Sequence, residues 1–340
     1  MLAGFGRFGR RHASVLAAHP AAKVVAIADP DITRRRAAES EYPGTAIHND
    51  PFDMLEDVEA DAISIVSPES THAEISRAAI QAKLQVFCEK PMATDIQEAR
   101  QLIALAREKD VHYRIGYILR YEPRHRLLKE QVAAGTFGRI AVIRAKRDVS
   151  WAWFEAYGHR VHPVYETLVH DIDLVLWICG QRCAAVTSWE RYFTGFDTPE
   201  TLVVVLELHG GTLATLETAW LAPSGAPANI TGWDSTDESA DGVIDASLEV
   251  VGTDGSAFLS TYEPSLTFTT PRRTYIPDLA FWPELGGTTM GALREELWDF
   301  VNVVAGRPGA GVDSIDDALH VQEIASAAVE AATTNSRVVL

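Results

Sequence analysis

The chain has 340 residues, 47% of them hydrophobic, and a formal net charge of −17. That length suits two domains with substantial cores, and that charge disfavours nucleic acid, whose phosphates it would repel. No run approaches the ~18 apolar residues of a membrane span.

Gly and Arg within the first ten positions speak against a signal peptide. Cys88, Cys179 and Cys183 are too few for a disulfide framework and do not have zinc-motif spacing. A cytoplasmic home, with no membrane and no nucleic-acid partner, is therefore expected. Arg34-Arg35-Arg36, followed by Glu39 and Glu41, reads as a solvated helix face.

In chain order, short apolar runs alternate with helical patterns. Strands are expected at 24–28, 62–66, 85–88 and 112–116. Helices are expected at 12–18, 32–41, 70–82 and 95–109, the last with Asp95 as N-cap. Buried strands separated by helices imply a doubly wound parallel sheet. Only Met1-Leu2-Ala3 precede Gly4, too short for a full first strand. Loss of a central strand would damage the sheet, so a late-assigned start or a longer natural N-terminus is expected.

After Tyr117 the rhythm changes. A helix at 122–134 leads into longer strands at 140–146, 202–208, 212–220 and 247–252. His209-Gly210-Gly211 and Thr253-Asp254-Gly255 suit antiparallel hairpins. Residues 223–242, rich in Pro, Gly, Ser and Asp, read as a loop, and helices at 289–305 and 314–332 close the chain. The fold class expected is thus an α/β Rossmann domain (1–118), followed by an α+β domain (119–340) with a large, mainly antiparallel sheet.

Gly4-Phe5-Gly6-Arg7-Phe8-Gly9 is a G-x-G-x-x-G fingerprint. Its glycines allow a tight turn, close approach of a pyrophosphate and helix-on-strand packing, with the phosphate charge on free helix N–H groups. Asp29 ends the next strand twenty residues past Gly9, where ribose recognition needs an acid. Asp29, with Asp31 nearby, favours NAD, while the arginines at 34–36 keep NADP open. The alternative is a glycine-rich turn with no ligand.

Further along come Ser67-Pro68-Glu69-Ser70-Thr71-His72, Glu89-Lys90-Pro91, Gly116-Tyr117-Ile118-Leu119-Arg120-Tyr121-Glu122-Pro123 and Glu166-Thr167-Leu168-Val169-His170-Asp171-Ile172-Asp173. In order and spacing these resemble the glucose-fructose oxidoreductase/inositol dehydrogenase (Gfo/Idh/MocA) family across essentially the whole chain. The resemblance implies an NAD(P)-dependent dehydrogenase acting on a secondary alcohol of a sugar, inositol or related polyol, working as a homodimer or homotetramer. It implies that Gly4–Gly9, Asp29, Ser67, Pro68, His72, Glu89 and Lys90 meet the cofactor. Substrate would be met by Lys90, Arg120, Tyr121, Trp153, Glu166 and His170. It also implies a cis peptide before Pro91. The family commonly has Asp where this chain has Glu166, and glycines where it has His162-Pro163-Val164-Tyr165.

Lys90 follows a parallel strand, where ligands of open α/β sheets bind, and a cation there can stabilise charge on the reacting oxygen. The bland reading is a surface lysine. Glu166 and His170, four apart, share a helix face; the histidine can take the hydroxyl proton and the acid can orient its ring. The aromatic stretch 151–157 serves equally as a sugar-stacking surface, as core, or as a subunit contact. His159, His162, Glu166 and His170 could ligate zinc, but Pro163 begins the helix and leaves the first two outside it, so no metal is expected. A non-catalytic NAD sensor and an NAD-dependent glycosidase of the same family are the alternatives.

Overall fold

The structure is a computed structural model describing residues 1–156, 158–223, 228–230, 244–261, 266, 268–269, 274–277, 279–311 and 314–340. Of the loop expected at 223–242, only residue 223 and a short strand fall among these; the rest, like Tyr157, lies outside the described residues. The chain forms two compact units, residues 1–118 with 284–322, and residues 119–283 with 323–340.

The first unit opens with β1 (Leu2–Ala3), α1 (Arg7–Ala17), β2 (Ala26–Ala28), α2 (Ile32–Glu41), β3 (Ala46–His48) and α3 (Pro51–Asp57). β4 (Ala62–Ile65), α4 (His72–Gln81), β5 (Gln85–Glu89), α5 (Ile96–Lys109) and β6 (Tyr113–Gly116) follow. All six strands run parallel in the order β3-β2-β1-β4-β5-β6. This is the doubly wound dinucleotide-binding order, with its switch point between β1 and β4. The central strand β1 engages both neighbours: Leu2 pairs with Ile27 and with Ser64 and is fully buried.

Helix starts follow local chemistry. Asp31, Asp50 and Asp95 each accept backbone N–H groups at the N-termini of α2, α3 and α5, which satisfies donors with no partner inside the helix. α1 lacks such a cap and has no acid in its first turn.

The second unit contains α6 (Pro123–Ala133), β7 (Ile140–Val149), α7 (Trp151–Ala156), α8 (Val169–Cys179), β8 (Cys183–Arg191), β9 (Thr201–Leu208), β10 (Leu213–Ala219), β11 (Ala228–Ile230), β12 (Ile244–Gly252), β13 (Ser256–Ser260), β14 (Phe268–Thr269) and β15 (Thr274–Pro277). Alternating burial, as in Leu202, Val204, Leu206 and Leu208 of β9, marks sheets with one face packed on a core. The β9–β10 and β12–β13 hairpins form at the two turns expected for them. β7 and β10 pair in parallel, so the large sheet is mixed although mostly antiparallel.

The chain then returns to the first unit through the hairpin β16 (Glu284–Leu285) and β17 (Thr288–Thr289), followed by α9 (Gly291–Val304). Asp299 pairs with Arg114 at 3.0 Å, and the Trp298 indole donates to the Val15 carbonyl at 3.2 Å. α10 (Ile315–Thr334) passes from the first unit into the second, where β18 (Val338–Val339) pairs with β8. The resulting order in the large sheet is β13-β12-β7-β10-β9-β8-β18. Among the described residues, no helix is long and apolar enough to cross a membrane.

A candidate dinucleotide and polyol site

At the end of β1, Gly4 has φ +97°, and a Cβ there would lie 2.6 Å from the Val66 carbonyl oxygen. A Cβ on Gly9 would overlap the Gly4 carbonyl. Gly6 differs: its nearest neighbour would be Arg34 at 3.7 Å. Among the described residues nothing excludes a side chain at Gly6, so the space above the uncapped start of α1 suits an outside group. The free N–H groups there, with the helix dipole, suit an anion.

Asp29, at the end of β2, is 2% exposed. It accepts from the Phe5 N–H at 2.7 Å and from the Asp31 N–H at 2.9 Å. A carboxylate has about four acceptor sites, so capacity for ribose hydroxyls remains. Arg34 stands 3.6 Å away and is itself half exposed. Arg35 donates through Nη1 to the Asp29 and Pro30 carbonyls, which ties it to the backbone of that turn. The residues therefore fit a dinucleotide, with the α1 start for pyrophosphate and Asp29 for ribose. Phe5 departs from the expected cofactor contact: its side chain belongs to the core with Leu2 and Ile27, and its N–H is spent on Asp29. Phe8 packs edge-on against His12 at 4.9 Å, and Arg7 is exposed.

Two further loops reach the same end of the sheet, since all its strands run parallel. After β4 come Ser67, partly accessible, and Pro68, exposed. His72 is 2% exposed, with Nδ1 2.8 Å from the Pro91 carbonyl oxygen and Nε2 2.9 Å from that of Ser67. The direct cofactor contact expected of His72 is thus replaced by a link inside the fold. After β5, Lys90 is partly accessible between buried Glu89 and buried Pro91, and the Lys90–Pro91 peptide is cis.

The second unit holds the remaining candidates. Val164–Leu168 form a π-helical turn leading directly into α8, a local form frequent at functional sites. The step from Glu166 to His170 crosses that junction, so a uniform α-helix does not describe it. Both side chains stay partly accessible, whereas Thr167, Leu168, Val169 and Asp171 are buried. Asp171 is held by Arg147 of β7 through bonds of 2.8 and 2.9 Å. Asp173 is held by Arg120, whose Nε stands 3.1 and 3.0 Å from its two oxygens. Two buried ion pairs thus anchor the helix that carries His170.

The second pair corrects the substrate role expected for Arg120, and burial that expected for Tyr121. Arg120 is 2% exposed and committed to Asp173, and Tyr121 is 3% exposed. In the aromatic stretch, Phe154 is buried with Val149 and Trp220, and Trp151 and Trp153 are packed against them. Among the described residues of this stretch Phe154 is core, while the rings of Trp151 and Trp153 stay partly accessible and retain some surface to offer. His159 bonds the Phe154 carbonyl and stacks on Phe196. His162 stands 3.1 Å from Glu190, and burial lowers its pKa against the pull of that acid. Among the described residues, no group of three or more His, Cys, Asp or Glu side chains could hold a metal ion.

Sequence reading missed His12. It is fully buried on α1, with Nδ1 3.0 Å from Ser64 Oγ and Nε2 3.2 Å from Glu89 Oε1. A histidine on the apolar face of a helix, three residues past the last fingerprint glycine, was the available signal.

Residues 1–117 match the NAD-binding Rossmann fold of the GFO/IDH/MocA oxidoreductase family, and residues 125–258 match its C-terminal domain. The chain is 30% identical to inositol 2-dehydrogenase 2 of Saccharopolyspora erythraea over 63% of its own length and 64% of that relative's. It is 25% identical to the scyllo-inositol 2-dehydrogenase (NAD(+)) of Bacillus subtilis over 76% of this chain and 72% of that one. Among solved structures, myo-inositol 2-dehydrogenase from Lactobacillus plantarum superposes with a TM-score of 0.82 at 25% identity, covering 100% of this chain and 98% of that one. The scyllo-inositol dehydrogenase of Lactobacillus casei, solved with NAD(H) and scyllo-inositol, shares the fold at a TM-score of 0.81 and 22% identity, covering 99% and 97%.

Proposed function

Because this chain belongs to the GFO/IDH/MocA oxidoreductase family, an NAD-binding family, we propose that it transfers a hydride between NAD and a secondary alcohol or ketone of a polyol, inositol before other sugars. The observation that carries this reading is the turn Glu89-Lys90-Pro91. It holds a partly accessible lysine between two buried neighbours, at the same sheet end as the nucleotide loop. The inositol dehydrogenases among its relatives support the substrate class.

NAD, when bound, supplies the acceptor or donor of the hydride. The start of α1 holds its pyrophosphate and Asp29 its adenosine ribose. Alcohol oxidation must also lose a proton from oxygen. His170 takes that proton and Glu166 orients its ring, while Lys90 stabilises negative charge developing on the substrate oxygen. Trp153 offers an aromatic face to the ring of a polyol. The second unit, residues 119–283 with 323–340, supplies the substrate side and the assembly surface.

Turnover tests the proposal. Inositols and sugars with NAD and with NADP, followed at the nicotinamide absorbance, should show a higher kcat/KM with NAD. Asp29→Ala should narrow that gap by removing the charge that repels a 2′-phosphate. Equal or better use of NADP by the unmodified chain contradicts the cofactor assignment.

We further propose a cytoplasmic dimer or tetramer assembled through the open face of the large sheet, a symmetric contact. That face exposes the apolar side chains Trp189, Leu213 and Phe258. Light scattering should give a multiple of the 37.2 kDa chain mass, and a monomer at working concentration rejects this assembly.

A further inference from the structure

Lys90 has a residue fixed on each side of it. Before it, Glu89 is buried with the His12 ring nitrogen 3.2 Å from its Oε1. Gly116 leaves that carboxylate its place, since a Cβ there would lie 2.8 Å from Oε1. After it, Pro91 has no N–H to anchor, so its carbonyl oxygen is the backbone's one polar handle.

His72 takes that handle. Its Nδ1 lies 2.8 Å from the Pro91 oxygen and its Nε2 lies 2.9 Å from the Ser67 oxygen. Both partners are carbonyls, which only accept. A neutral imidazole has one N–H and would turn a lone pair toward one of them. The arrangement is satisfied only when both nitrogens carry hydrogen. Burial opposes the charge, but the neighbouring Cys88 sulfur and the two carbonyls outweigh it and raise the His72 pKa to about 9.

We propose that His72 is a positioning residue for Lys90: its doubly protonated ring ties the loop after β4 to the residue that follows the lysine. The claim rests on the reading of Lys90 given above. Ser67 and Pro91 belong to loops that leave neighbouring strands. A bridge between them fixes the base of the lysine against the nucleotide side of the fold, with no contact of its own to a ligand.

The ring state is read without turnover. In histidine-selective ¹⁵N NMR of the unmodified protein at neutral pH, the His72 signal, assigned by its loss in His72→Gln, should show protons on both nitrogens. A neutral ring overturns the proposal. In kinetics, His72→Gln should lower kcat by about 10²-fold, the effect of misplacing a catalytic group by about 1 Å, while NAD affinity stays within about threefold of the unmodified protein's. Placed in a Lys90→Ala background, the same change should remove less than about threefold more. A full additional loss there means that His72 does not act through Lys90. Unchanged turnover in His72→Gln beside an inactive Lys90→Ala overturns this inference alone. Unchanged turnover in Lys90→Ala overturns the active-site reading as well.

Discussion

Lys90→Ala and His170→Ala should each lower kcat on the preferred polyol by about 10²–10⁴-fold, the usual worth of a positioned acid or base. The two losses have different origins. Without His170, no side chain is assigned to take the hydroxyl proton as the hydride leaves. Without Lys90, the developing charge on oxygen loses a donor worth about 3–4 kcal/mol in comparable settings. NAD affinity should largely survive both changes, because the α1 start and Asp29 lie on other parts of the chain. Glu166→Gln should be milder than His170→Ala, since an orienting acid is a step removed from the proton. The check is steady-state kinetics together with a direct NAD-binding isotherm. Near-normal turnover in both variants places the active site elsewhere.

Arg120→Leu should cost about 3–5 kcal/mol of stability, the range for breaking a buried ion pair from one side. Both members are enclosed, Arg120 at 2% and Asp173 at 1% exposure, and Nε of the arginine meets both carboxylate oxygens. Removing the guanidinium deprives a buried carboxylate of that partner. Replacing both residues by apolar ones of similar volume should recover much of the loss, because two desolvated charges go together. Denaturant unfolding of the single and double variants measures this. A loss below about 1 kcal/mol in Arg120→Leu would mean that solvent reaches the pair. The helix it anchors carries His170, so reduced turnover should accompany reduced stability.

The Rossmann half was legible because its signals are local. A glycine fingerprint, an acid after β2 and the Asp95 cap before α5 act within a few residues, and each specifies its own backbone. β3 and α3 escaped despite Asp50-Pro51, a sound helix start, because a three-residue strand carries too little periodicity. Residues 284–322 read as part of the second half in sequence, yet they pack with the first. What decides this is the buried Arg114–Asp299 pair and the Trp298–Val15 bond, which join positions far apart in the chain. Arg120 shows the same limit within the site. An arginine beside a crossover suits a substrate as well as it suits Asp173, and only tertiary structure separates the two. The π turn at 164–168 has no periodic signature, so the start of the His170 helix was expected to be regular. His72 was identified by its motif, but its two carbonyl partners lie on loops from different strands.

The most direct test of polyol dehydrogenation is a single absorbance trace. Purified protein with saturating NAD is given myo-inositol, scyllo-inositol and a panel of sugars, and the reduced nicotinamide is followed beside Lys90→Ala under the same conditions. Steady NAD reduction on at least one of these polyols, lost in the variant, is the predicted result. No reduction on any of them, with NAD binding confirmed, or an equal trace from Lys90→Ala, would contradict it.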